Sequence, residues 1–319
     1  MAIEFKPGWS KPSKILFASE LPPNEQAFSF AVAQAAEYGA KLILFHAYDT
    51  LVVSATETKG LLYYDFGAAA KAEAKHLAPL AERVRAAGVE CETVVKPGLA
   101  ADQILTYMRE EKIDRIVMGT HCPGPIGKLL VGSVAEAVLR TASAPVFVVG
   151  PEVAESGFSN FSIRTILCGV SLYEPSSMVP AFAAELAARH HARLVMQHVI
   201  RPQERQQVMA GRSISQIEDE VLATIPPELE GKFAVQPVVT PGDPTEELLY
   251  QARAQQADLI VLGAQGASAF AAVARHGVVY KVLAHAHCPV LTLSPVVLAM
   301  HGARKPRAHQ DEVYLAGVF

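Results

Sequence analysis

The chain lacks the features that mark several large classes of protein. Its 319 residues contain four cysteines, at 91, 122, 168 and 288, and no CxxC pair. That excludes a disulfide framework and a cysteine-paired zinc module, and fits reduced thiols in a reducing compartment. The net charge is only -4, so there is no electrostatic reason to expect a nucleic-acid backbone as partner. Met1 to Lys14 has no apolar segment of the secretory kind. The longest strongly apolar stretch, Cys288 to Met300, is broken at Ser294-Pro295 and falls short of the roughly 20 residues that a membrane-spanning helix requires. The expectation is a soluble, cytoplasmic protein with neither nucleic acid nor membrane as partner.

What is present is a repetition. Pro97-Gly98, Ile116-Val117-Met118-Gly119 and Ala144-Pro145-Val146 return as Pro241-Gly242, Ile260-Val261-Leu262-Gly263 and Cys288-Pro289-Val290, each 144 positions later. Earlier landmarks match at a slightly larger offset: Ile15-Leu16 with Ile166-Leu167, and His46 with His198. An offset that drifts only between elements is the mark of loop insertions. The period is too long for a solenoid unit, and the length suits two globular domains. We place them at residues 1–150 and 151–295, with a tail at 296–319.

Each half alternates β-rich runs with helical patterns. In the first, Lys14 to Ala18, Lys41 to His46, Glu90 to Val95, Arg115 to Met118 and Pro145 to Val149 read as five strands. Several are nearly continuous apolar runs, as in strands covered on both faces by helices. Phe28, Ala31, Val32 and Ala35 form one apolar helical stripe, and Val179, Phe182, Ala183 and Leu186 repeat it. Further helices are expected from Ala68 to Ala87, from Ala100 to Lys112 and after Gly132-Ser133, while Pro226-Pro227 ends one in the second half and Pro244 opens the next. The fold class is therefore α/β: two doubly wound domains, each a five-stranded, mainly parallel sheet with helices on both faces. The apolar last strands, Pro145 to Val149 and Pro289 to Leu293, are expected to pair across a pseudo-two-fold axis.

In such a sheet a ligand binds outside the carboxyl ends of the strands, where strand order reverses. There the first half offers Ser19-Glu20, Ala47 and the loop from Gly119 to Ser133. Gly132-Ser133 would present amides at a helix start, which suits a phosphate, although glycine-rich loops are also common turn material. The loop is not a Walker A motif, because Leu129 follows Gly127-Lys128 where a magnesium-binding hydroxyl is needed. No Gly-x-Ser-x-Gly elbow surrounds Ser19 or Ser133. Helix capping and phosphate contact account better for both serines than nucleophilic catalysis does.

The combination of Ile15-Leu16-Phe17, Gly39-Ala40-Lys41-Leu42, His46, Ile116-Val117-Met118-Gly119-Thr120-His121, Gly132-Ser133-Val134-Ala135-Glu136 and Ala144-Pro145-Val146 resembles the universal stress protein family. Ser13 to Gly150 and Ser162 to Ser294 each carry the likeness, so the chain resembles a tandem member. Members pair along their last strands and divide into ATP-binding and non-binding groups. The binding pattern is glycine, two residues, glycine, nine residues, glycine and serine or threonine. Gly119, Gly132 and Ser133 keep that register, Cys122 replaces the middle glycine, and Glu20 stands for the usual aspartate. In the second half Gly263 and Gly266 remain, but His276-Gly277 replaces the closing pair and Ser171 the acid.

The resemblance implies a non-catalytic stress-response protein with a degenerate ATP site in the first domain and a weaker or absent one in the second. Ser19 and Glu20 would lie near the adenosine, Ala47 and Met118 would line the base, and Gly119, His121, Gly132, Ser133 and Val134 would lie near ribose and phosphates. The alternatives are an interaction scaffold that binds no nucleotide and a slow ATP hydrolase. The chain would be an intramolecular pseudo-dimer, with association into a further homodimer left open. His285, His287 and Cys288 read as a polar helix end and not a metal set, since no second ligand pair completes it. Tyr63-Tyr64 and Phe66 read as packing for the following helix, with a lid over the site as the alternative.

Overall fold

The computed structural model describes residues 11–48, 66–120, 132–154, 162–172, 178–202, 205, 211–264 and 277–301. The first half runs β1 (Lys14–Ala18), α1 (Glu25–Tyr38), β2 (Lys41–Tyr48), α2 (Phe66–Ala86), β3 (Cys91–Pro97), α3 (Ala100–Glu110), β4 (Arg115–Gly119), α4 (Ser133–Thr141) and β5 (Val146–Val149). The second runs β6 (Thr165–Gly169), α5 (Met178–His190), β7 (Arg193–Ile200), α6 (Ile214–Leu222), a 3-10 turn, β8 (Val235–Pro241), α7 (Pro244–Ala254), β9 (Leu259–Gly263), α8 (Val278–His285), β10 (Val290–Leu293) and α9 (Pro295–His301). Element ends follow local chemistry. Gly88, at φ 76°, ends the chain's run beyond α2, and α3 stops at Glu110 because Glu111 caps it and Lys112 turns to φ 55°.

The two five-stranded sheets join into one of ten strands, in the order β3-β2-β1-β4-β5-β10-β9-β6-β7-β8. Within each half every pair is parallel, and the single antiparallel contact is β5 with β10. Phe147 lies opposite Leu291, its own counterpart in the repeat, so the pseudo-two-fold axis passes through that pair. The expected pairing of the last strands is thus present. Each half's first strand is anchored by an aspartate in the same place. Asp114 Oδ2 accepts from the Ser13 and Lys14 amides at 2.9 and 3.1 Å, and Asp258 Oδ2 from those of Arg164 and Thr165 at 2.8 and 2.9 Å.

Burial explains why the halves hold together. One apolar layer, including Phe28, Ala31, Phe147, Val179, Phe182 and Leu291, runs through both halves on the α1 and α5 side of the sheet. A second, including Met118, Val138, Leu139, Leu262, Val282 and Leu283, does so on the other side. Removing such continuous apolar surface from water is the main favourable term in the fold. Arg115 is fully buried between the Tyr38 and Phe147 rings, 4.7 and 4.6 Å from their centroids, and donates to Gln34 Oε1. Tyr38 in turn meets His190 Nε2 at 2.7 Å, across the junction of the halves.

The chain corrects the sequence reading at its end. The tail expected from 296 begins instead as α9, whose Val297 and Leu298 are buried in the first apolar layer. Ser294 Oγ donates to Ala142 O at the end of α4 and accepts from the Val297 amide, turning the chain into that helix. Residues 302–319 lie outside the described residues, as do Tyr63 and Tyr64; Phe66 opens α2.

Candidate functional site

The reversal of strand order falls between β1 and β4, which grow outward from a shared register. Ala18 at the end of β1 lies between Phe45 on β2 and Met118 on β4. Ser19 and Glu20 leave the sheet at this point, and the Ser19 amide donates to Phe45 O at 2.8 Å. Ala47 lies two residues beyond Phe45 on the neighbouring strand, half-buried. Met118 belongs to the apolar layer on the α3 and α4 side, and Ala18, Ala47 and Val134 pack against it. The structure therefore brings Ser19, Glu20, Ala47, Met118, Gly119 and Val134 to one end of the sheet. His121, Cys122, Gly124 and Gly127 lie outside the described residues.

Individual side chains differ from expectation. Ser19 is buried and its hydroxyl donates to Glu20 O at 2.8 Å, so it caps no helix and shapes its own loop. Ser133 is the first residue of α4, and the N-cap is Gly132. Gly132 has no side chain to cap that helix start, and no other side chain caps it among the described residues; the leading amides have no intrahelical acceptors. Among the described residues a Cβ at Gly132 would meet nothing within 4 Å, and its φ of -38° requires no glycine. Gly119 is another matter. A Cβ there would lie 2.6 Å from Asn24 Cβ, and Asn24 caps α1 by accepting from the Ala27 amide at 2.8 Å. Packing against that cap alone demands glycine at 119.

Three residues quoted above only as landmarks, His46, His198 and Thr120, also contribute at the strand ends. His46 Nδ1 lies 3.0 Å from Ser19 O and its Nε2 3.7 Å from Glu73 Oε2. A carbonyl accepts, so Nδ1 carries the proton and the ring pins the loop that presents Glu20. His198 Nδ1 meets Val170 O at 3.0 Å in the same way. Their recurrence at matched positions was the available signal. Thr120, between Gly119 and the loop, is buried with a hydroxyl that has no hydrogen-bond partner among the described residues. A cavity of about 740 Å³ between α3 and α4, lined by Asp102, Arg109, Glu136 and Arg140 among others, shares only Ser133 with the predicted set.

The second half keeps the frame and changes the contents. Gly169, Val170, Ser171 and Leu262 replace Ala18, Ser19, Glu20 and Met118. A Cβ at Gly169 would lie 2.7 Å from Leu262 Cδ2, so Leu262 fills the space at the end of β6. A Cβ at Gly263 would lie 3.9 Å from Leu298 Cδ1, placing α9 over the end of β9. The α8 N-cap is Gly277, the counterpart of Ser133, so this helix starts one residue late. His276 and Gly266 lie outside the described residues. His285 ends α8 and its Nδ1 contacts Glu152 Oε1 at 2.8 Å, a polar contact at the helix end. Cys91, Cys168 and Cys288 are free thiols. Among the described residues no helix is long and apolar enough to cross a membrane.

A doubly wound, five-stranded unit with a glycine-rich strand-end loop, duplicated and joined along its last strands, defines the class. The model of the universal stress protein family matches residues 12–150 and again 162–294, and the chain belongs to that family. It is 40% identical over 62 residues to a universal stress protein of Methanocaldococcus jannaschii, a match covering 19% of this chain and 36% of that protein. It is 32% identical over 131 residues to one from Thermus aquaticus, covering 39% of this chain and 88% of that one. The chain thus spans about a third of the first relative and most of the second. The crystal structure of a universal stress protein from Archaeoglobus fulgidus shares the fold over 90% of this chain and 97% of its own, with a TM-score of 0.68 at 18% identity.

Proposed function

We propose that the chain is a non-catalytic stress-response protein whose first half takes up an adenine nucleotide, ATP in the first instance, as a regulatory ligand. The observation that carries this reading is the coincidence, at one strand-order reversal, of an acid, an apolar wall and an uncapped helix start: Glu20, then Ala47 with Met118, then Gly132-Ser133-Val134. A carboxylate at 20 would accept from the adenosine hydroxyls, the apolar wall would cover the base, and the amides leading α4 would donate to phosphate oxygens. The space at Gly132 and the Thr120 hydroxyl, both without a neighbour or partner among the described residues, suit a ligand there. Ser19 would contribute through its loop, Gly119 through the cap of α1, and His121 from the adjoining loop.

The second half would be structural. Leu262 fills its strand-end space and α9 covers β9, while Ser171 supplies no charge. Two lost hydrogen bonds, each about 1 kcal/mol, would already weaken binding roughly thirtyfold. The reading separates from a nucleotide-free scaffold by mass spectrometry of small molecules released from the purified protein. Adenine nucleotide at up to one equivalent per chain is expected. A protein that releases none and takes up none on titration is a scaffold.

A further inference from the structure

The two outer edges of the ten-stranded sheet, β3 and β8, are counterparts in the repeat, yet they are built to opposite ends. The phase of each ladder follows from its end bonds. On β3, Glu90 O accepts from the Leu42 amide at 2.8 Å and the Gly98 amide donates to Tyr48 O at 2.9 Å. Residues of even number therefore bond to β2, and Cys91, Thr93, Val95 and Pro97 direct their backbone groups outward. On β8, Ala234 O accepts from Leu194 at 2.8 Å and Gly242 donates to Ile200 O at 3.1 Å, which turns Val235, Pro237, Val239 and Pro241 outward.

Proline donates no hydrogen bond, and a proline in mid-edge blocks strand addition. Pro237 interrupts the outward row of β8. Its counterpart on β3 is Thr93, so Cys91, Thr93 and Val95 form an unbroken row of outward amides, with no backbone partner among the described residues. The side chains add a self-complementary pattern. Antiparallel pairing of β3 with itself about Val94, the midpoint of the strand, sets Glu92 opposite Lys96 twice and Thr93 opposite Val95 twice. Glu92 and Lys96 both border the Tyr107 ring: Glu92 pairs with Lys41 Nζ at 2.6 Å and accepts from Tyr107 Oη at 3.4 Å, and Lys96 Nζ lies 5.9 Å from the ring centroid. Opposite charges directly across an antiparallel pair stabilise it, and like charges there oppose it.

We propose that β3 is the self-association edge of this protein, pairing antiparallel with β3 of a second copy to continue the sheet, while proline keeps β8 closed. The internal β5-β10 contact already uses the last-strand surface of each half, so a further dimer needs another surface. This proposal is independent of the nucleotide reading.

Sedimentation velocity over a range of protein concentration tests it. The wild-type chain, 34.2 kDa, is expected to reach twice that mass. Thr93→Pro installs the residue the second half carries, removes only an outward amide, and is expected to leave a folded monomer with an unchanged circular-dichroism melt. Lys96→Glu sets two acids opposite each other and should weaken association by roughly tenfold or more. Glu92→Lys alone should do the same, and the two charge variants mixed should recover the dimer. A wild-type protein that stays monomeric throughout overturns the proposal, as does a dimer that survives Thr93→Pro and Lys96→Glu undiminished.

Discussion

The strand ends of the two halves share a frame and differ in what the frame holds. Asp114 and Asp258 fix the start of the first strand alike, and His46 and His198 pin the loop after it at the same 3.0 Å. Above that frame the first half has Ala18, Ser19, Glu20 and Met118, and the second has Gly169, Val170, Ser171 and Leu262. Residues that hold backbone are retained in both halves, whereas those that would touch a ligand have diverged. On the proposed reading, a lost binding role would leave scaffold requirements untouched; at the end of β6 Leu262 Cδ2 occupies the space a Cβ at Gly169 would need, 2.7 Å away.

The junction offers the sharpest contrast to break. Gly150 and Ser294 are counterparts, but a Cβ at Gly150 would run into the Leu283 carbonyl, while Ser294 has room to donate to Ala142 O. Gly150→Ala should destabilise the chain by about 3 kcal/mol, the upper range for overpacking against rigid backbone, read from chemical denaturation. The reciprocal Ser294→Ala should lose only about 1 kcal/mol. Equal effects at the two positions would mean that the halves do not meet as described.

Acid should weaken the same junction. His190 faces Tyr38 and Glu37 from α1, Arg115 from β4, and Arg189 and His191 on its own helix and turn. Burial first, then Arg115 and Arg189, hold it down at about 4, below its ordinary 6.5. The unfolded chain therefore takes up the proton first, so this contribution is fully present above about 6.5 and is lost as pH falls toward 4. His287, lowered chiefly by burial, acts in the same direction. Thermal melts should fall across that window, and His190→Gln should flatten the fall; a profile the variant leaves unchanged would assign it elsewhere.

Smaller effects sharpen the comparison. Cys122→Gly, which restores the family's middle glycine, should tighten ATP binding by roughly tenfold or less, about 1.4 kcal/mol, by calorimetric titration; unchanged or weaker affinity would remove Cys122 as the determinant. Glu152, in the segment between the two family matches, joins Arg253 at 2.9 Å and His285 at 2.8 Å of the second half, but all three are substantially exposed. Glu152→Gln should cost no more than about 0.5 kcal/mol, and a larger loss in denaturation would show that the linker clamps the halves.

Much of this was legible in the sequence because the signals were periodic. Continuous apolar runs marked the strands, helical stripes such as Phe28 to Ala35 marked their cover, and apolar last strands foretold the central pair. The α9 helix was not legible, since the five apolar residues after Pro295, Val296 to Met300, form one short continuous run that shows no period. Gly119 read as a phosphate approach, yet its contact is Asn24, far away in sequence, and no local pattern distinguishes the two. His46 acts chiefly through the Ser19 carbonyl, and a backbone acceptor leaves no residue-type signal in the sequence. The contrast between β3 and β8 needed the ladder phase, because a proline matters only when its nitrogen faces outward.

The most direct test of the asymmetry between the halves is calorimetric titration of nucleotide-free protein with ATP, run on the wild type, Gly132→Glu and Gly277→Glu. One site per chain is expected, abolished by the acid at the start of α4 and retained with the acid at the start of α8. Two equal sites, or binding that survives Gly132→Glu and disappears in Gly277→Glu, would contradict the account.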